Sequence, residues 1–220
     1  MKVRVFYARA AALEDRLEEA LRLATPARRS KAARFRHRAD QLRSLAAGLL
    51  LRRHLDVRED SDLTESPLGR LELSRAGPSF SLSHSGKFSG LALCAAGPCG
   101  LDIEPLDRKV KARLLANRVF SARERALLGD GEPDPELFFS VWTRKESLLK
   151  ATGLGLLRAP ESFSVAPLEA AALPALGSLW SFRTFVLESH VFSVAAPAAP
   201  DGSPVECEAR ETLPEELLGS

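Results

Sequence analysis

At 220 residues and 45% hydrophobic, the chain can fill one large core or two small ones. With 31 Lys and Arg against 29 Asp and Glu it is near neutral; it has no apolar run of about 18 residues, and its charged opening Met1-Lys2-Val3-Arg4-Val5-Phe6-Tyr7 lacks the apolar stretch of a leader, so a soluble cytoplasmic protein is expected. Three cysteines, Cys94, Cys99 and Cys207, form no Cys-x-x-Cys pair and argue against a disulfide scaffold or a zinc site; Cys94 is expected in the core and the other two as incidental.

The first predicted elements are a strand over 2–7 and a helix over 13–23, where Leu13, Leu17, Ala20 and Leu21 recur at helical spacing. Thr25 as N-cap and Pro26 at the first helical position start a helix to about Arg34. A longer helix follows from about Asp40 to Leu55. Residues 22–53 hold Arg22, Arg28, Arg29, Lys31, Arg34, Arg36, Arg38, Arg43, Arg52 and Arg53 against Asp40 alone. Such a run points to a polyanionic partner, and with Phe35 the single aromatic it offers no base-stacking platform for nucleic acid.

Strands are predicted at 79–83, 88–95 and 100–104, parted by the turns His84-Ser85-Gly86 and Ala96-Gly97-Pro98. A helix over 110–119 and a capping box from Ser121 to Glu124 come next. Pro135 opens a helix to about Thr152, which Gly153 ends as a left-handed cap. Strands at 162–167, 180–187 and 191–196 close the pattern. Residues 197–220, rich in Pro, Ala and Glu, read as a disordered acidic tail.

Three motifs on this frame share one chemistry. Ser83-His84-Ser85-Gly86 offers a hydroxyl, an imidazole and an open backbone turn. In Gly100-Leu101-Asp102-Ile103-Glu104, strand alternation sends both carboxylates off one face about 7 Å apart, close enough to share a hard cation. In Trp142-Thr143-Arg144-Lys145-Glu146-Ser147-Leu148-Leu149-Lys150, Glu146 and Lys150 lie one helical turn apart. Singly these are a turn, a solvated strand edge and a surface ion pair; their occurrence together describes a magnesium-diphosphate site.

In this order the motifs resemble those of the 4′-phosphopantetheinyl transferases, in the longer single-chain type. The resemblance extends to Pro26-Ala27-Arg28-Arg29-Ser30-Lys31-Ala32-Ala33-Arg34-Phe35, to Arg43-Ser44 and to Gly69-Arg70, and covers residues 1–196. It implies an α+β fold of two pseudo-symmetric subdomains, 1–100 and 101–196, with the active site in the cleft between them and the tail 197–220 outside. The implied reaction moves the phosphopantetheine arm of coenzyme A to a serine of an acyl or peptidyl carrier protein, with Mg²⁺, or Mn²⁺ as the alternative. On the same basis Asp102, Glu104 and Glu146 would hold the metal. Glu146 could equally be the base, Asp102 and Lys150 join it as catalytic candidates, and Lys150 would serve the leaving phosphate. Arg28, Lys31, Arg43, Ser44, Gly69, Arg70, Ser83 and His84 would contact coenzyme A, with Lys145 as a second-rank member. Leu154, Leu156, Leu157 and Phe163 would lie near the carrier, with a place in the core as the equal alternative. A monomer without nucleic-acid or membrane partners is expected. The rivals are a magnesium-dependent phosphohydrolase or nucleotidyltransferase and a basic nucleic-acid-binding module.

Overall fold

Alternation along the central strands accounts for the architecture of the computed structural model, which describes residues 1–154, 159–199 and 201–219. Strand β1 (Lys2–Arg9) sends Val3 and Val5 to one face and Phe6 and Ala8 to the other, while β5 (Phe88–Cys94) is buried on both faces. With β4 (Ser79–Ser85) and a C-terminal strand these form one sheet. A second sheet has the order β6 (Gly100–Pro105), β9 (His190–Pro197), β8 (Ser178–Leu187), β7 (Ala172–Ala175). A short ribbon, β2 (Leu63–Glu65) with β3 (Leu71–Leu73), stands apart.

The two sheets share a core of Val3, Val5, Phe88, Leu101, Ile103, Phe192 and Val194. Outside the first sheet, α1 (Leu17–Leu23), α2 (Pro26–Ala33) and α3 (Arg38–Leu55) pack against Leu91 and Leu93. Outside the second, α4 (Ala112–Val119), α5 (Ala122–Leu128) and α6 (Pro135–Thr152) pack around Phe120, Phe138, Leu148 and Val191. The result is an α+β assembly of helix, sheet, sheet, helix, in which each inner layer is apolar on both faces. Among the described residues no helix is long and apolar enough to cross a membrane.

Local chemistry sets the helix ends. The Thr25 hydroxyl accepts from the Arg28 amide, Ser121 and Glu124 complete their capping box, and Asp134 caps α6 before Pro135. Gly153, at φ 70°, closes α6.

Several expectations change. The segment 13–23 splits into a 3₁₀ stretch, Ala10–Arg16, and α1. No strand forms over 162–167, although Phe163, Val165 and Ala166 are buried, because the Val165 amide donates to the Glu124 carboxylate at 2.7 Å instead of to a neighbouring strand. Cys99 is not incidental: it is fully buried. The largest correction concerns the tail. Residues 206–211 form β10 (Glu206–Glu211), parallel to β1, and Pro214–Leu218 forms α7, whose Leu217 and Leu218 enter the α3 core. Acidic composition suggested solvation, but β1 supplies the ladder, and Arg9 and Lys2 supply countercharges to Glu211 and Glu208.

Candidate functional site

The site is built where β4 meets β6 and α6. A Cβ added to Gly100 would fall 1.8 Å from the Ser147 carbonyl, so only glycine lets β6 run this close beneath α6. That approach brings Asp102 and Lys150 together, at 2.7 Å between Oδ1 and Nζ. β4 and β6 are joined through side chains. Serines at alternate positions of Ser79-Phe80-Ser81-Leu82-Ser83-His84-Ser85 face the neighbouring strand; the Ser81 hydroxyl accepts from the Leu101 amide at 3.0 Å, and that of Ser83 accepts from the Ile103 amide at 3.2 Å. The Ser83 hydroxyl also donates to Asp102 at 3.1 Å and accepts from Lys150 at 3.1 Å. Ser85 donates to Glu104 at 2.8 Å, and Arg108 pairs with the other oxygen of that carboxylate.

Asp102 is 6% exposed, and its Oδ2 is buried without a partner among the described residues. An acceptor so placed stands to lose a hydrogen bond's worth of free energy unless a ligand reaches it. Burial and then the repulsion of Asp102 raise the Glu146 carboxyl above its ordinary range; burial likewise raises Glu104. Opposite these carboxylates, Arg28, Lys31, His84 and Lys150 line a cleft of about 280 Å³ together with Ser83, Asp102 and Glu104. Burial lowers Arg28; burial and then Arg28 lower Lys31; burial and then Lys31, Arg43 and Lys150 lower His84. Cations that depress one another in this way mark a positive potential suited to a polyphosphate. A second cleft of about 300 Å³ adjoins it, lined by Gly69, Arg70, Glu146, Leu149 and Lys150. Arg70 donates to the Ala151 carbonyl and to Ser79, both at 2.6 Å, tying the β2–β3 ribbon to the end of α6.

Among the described residues no three carboxylate, imidazole or thiol side chains are already gathered as a metal cage. The expected triad of Asp102, Glu104 and Glu146 is therefore not preformed, because Lys150 and Arg108 occupy two of its members. The donors still suit a hard cation: all are oxygens, and one of them is buried and free.

Four residues expected at the site or beside it lie elsewhere. Lys145 points to the far side of α6, where its amine sits 2.8 Å from the Glu124 carboxylate and 2.8 Å from the Phe163 carbonyl, with a side-chain exposure of 3%. One residue along a helix is a rotation of about 100°, which separates it from Glu146. Phe163, expected near the carrier, is buried beneath that amine at 4.2 Å. Arg43 and Ser44 do not line the cleft: Arg43 holds Asp40 and the Gly86 carbonyl, and Ser44 is fully buried in α3. Leu154 is half-buried at the end of α6, and Leu156 and Leu157 lie outside the described residues. Sequence reasoning passed over Ser81, Ser85 and Arg108, although the alternating serines were visible.

Residues 98–195 match the profile of the 4′-phosphopantetheinyl transferase superfamily. The chain is similar to the 4′-phosphopantetheinyl transferase HetI of Nostoc, 33% identical over 163 residues that make up 71% of this chain and 67% of that one. It is also similar to the 4′-phosphopantetheinyl transferase Sfp of Bacillus subtilis, 29% identical over 75% of this chain and 76% of that one. With a Synechocystis relative, at 36% identity, the alignment spans about half of each protein, 51% and 48%.

Proposed function

The chain belongs to the 4′-phosphopantetheinyl transferase superfamily, and we propose that it transfers the 4′-phosphopantetheine arm of coenzyme A to a serine of an acyl or peptidyl carrier protein, releasing 3′,5′-ADP. The observation that carries this reading is the buried, unpartnered Asp102 oxygen beside a cleft whose other wall is cationic.

Attack on a diphosphate phosphorus asks for alignment and charge neutralisation. Arg28, Lys31 and His84 bind the phosphates of coenzyme A, and Arg70 with Gly69 forms the adjoining wall. Lys150, hydrogen-bonded to Ser83 and Asp102, is held to donate to the leaving phosphate as charge grows there. Glu146 has no ion-pair partner among the described residues, and burial makes its carboxylate a better proton acceptor than an exposed glutamate, which suits a group that takes the serine proton. Asp102, Glu104 and Glu146 would hold Mg²⁺, or Mn²⁺, which when bound neutralises diphosphate charge. Glu104, paired with Arg108 here, would serve as a ligand through its carboxylate oxygens. Acidic carrier domains would meet the surplus of arginines on α2 and α3, and the enzyme acts as a cytoplasmic monomer without nucleic acid or membrane.

Intact-mass spectrometry of an apo carrier protein incubated with this protein, coenzyme A and Mg²⁺ tests the reading. The expected result is a mass gain equal to the phosphopantetheine arm, absent with Asp102→Ala. Coenzyme A hydrolysis without carrier modification would instead support the phosphohydrolase rival.

A further inference from the structure

The hairpin between β4 and β5 carries His84 and Ser85 to the cleft, and its loop is only Gly86-Lys87. Gly86 sits at φ 54°, the positive value that a two-residue hairpin loop demands at its first position. So short a loop fixes the two strands to each other, but not the hairpin tip to the second sheet.

Beyond the Ser85–Glu104 hydrogen bond, the loop itself is held by the opposite hairpin. Between β8 and β9 lie Glu188 and Ser189, at φ 43° and φ 59°. Neither is glycine or asparagine, so both occupy the left-handed region at a steric cost, and such outliers persist only where the surroundings hold them. Here the Ser189 carbonyl accepts from the Leu106 amide at 2.8 Å, and the Glu188 carboxylate takes both terminal nitrogens of Arg9, at 2.7 and 2.6 Å. The Glu188 carbonyl lies 2.8 Å from His190 Nδ1.

His190, 4% exposed, is packed edge-on to Phe88 with ring centroids 4.9 Å apart. Its Nε2 lies 3.1 Å from the Lys87 amide, which can only donate. The Nδ1 proton must then go to Glu188, so both bonds require the tautomer protonated at Nδ1. A Cβ on Gly86 would stand 2.2 Å from Nε2, so the loop can close on the ring only because residue 86 has no side chain. From the other side Arg43 donates to the Gly86 carbonyl at 2.6 Å.

We propose that His190 is a positioning residue for the phosphate-binding hairpin: the strained β8–β9 turn aims its imidazole at the Lys87 amide and thereby sets His84 and Ser85 in register with Lys150 and Glu104. The proposal rests on the transferase reading for its effect on coenzyme A, but the latch itself does not. His190→Leu removes the acceptor, whereas His190→Gln can restore one at similar volume. Hydrogen exchange of the Lys87 amide should be slow in the parent, faster by about tenfold or more in His190→Leu and slow again in His190→Gln. In the carrier-modification assay the Leu variant should raise KM for coenzyme A about tenfold, the equivalent of one lost hydrogen bond, with a smaller change in kcat and recovery in the Gln variant. Unchanged Lys87 exchange in the Leu variant would overturn the latch. Faster exchange with unchanged KM, or an equal loss in both variants, would overturn the positioning role. No carrier modification by the parent protein would instead overturn the transferase reading, leaving the exchange result to decide the latch.

Discussion

Two lysine–carboxylate pairs hang from the same helix and have opposite characters. Lys145 and Glu124 are closed: side-chain exposures are 3% and 0%, and Glu124 also accepts the Ser121 and Val165 amides at 2.7 Å each. Lys150 and Asp102 are open: exposures are 32% and 8%, and one Asp102 oxygen is buried with nothing to accept. A saturated pair ties α5, α6 and the segment around Val165 into one body. An unsaturated one keeps capacity for a ligand, so incomplete hydrogen bonding of its carboxylate, rather than charge, separates this pair from the closed one.

The contrast is broken most severely on the closed side. Lys145→Met strands the Glu124 charge in the core and should cost about 3–5 kcal/mol, of order 10 °C in Tm by calorimetry, with coenzyme A affinity little changed in the folded fraction. On the open side Asp102→Asn keeps the shape and removes the charge. Carrier modification should fall about 10²–10³-fold while Tm moves by only a degree or two. A large Tm loss there would mean that Asp102 is scaffold after all. Ser81→Ala leaves the buried Leu101 amide unpaired at the junction of the sheets, a loss of about 1–3 kcal/mol visible in urea unfolding.

Glu146→Gln has the smallest effect on stability and an opposite sign. Folding raises the Glu146 pKa above its ordinary 4.5, so the native state holds that proton more tightly than the unfolded chain. Stability from this group is present below 4.5 and is lost as pH climbs through the raised value. The Gln variant should therefore melt slightly higher at neutral pH, with a flatter stability profile above pH 4.5, while its transfer rate collapses.

Elements whose partners are close in sequence could be read directly. The caps at Thr25 and Ser121, Pro135 at the start of α6, the glycine ending it and the alternation of β4 to β6 are local, and the three motifs lie on them. What was missed depended on distant chain. The strand Glu206–Glu211 is acidic and alternating, and looks solvated until β1 lies beside it. His190 is a lone histidine at a strand start until the Lys87 amide reaches it. Lys145 was drawn into the site by its motif, although its helical angle pointed away.

The parallel pairing of β10 with β1 also has a bearing on synthesis. Arg9 and Glu211, 202 positions apart, meet across that ladder, and Leu217 and Leu218 complete the core under α3. The sheet built on β1 is thus completed by residues about 200 positions later in the chain. Until they arrive, β1 presents a bare edge next to an unfinished apolar surface, the condition under which nascent chains call on chaperones or stick to one another.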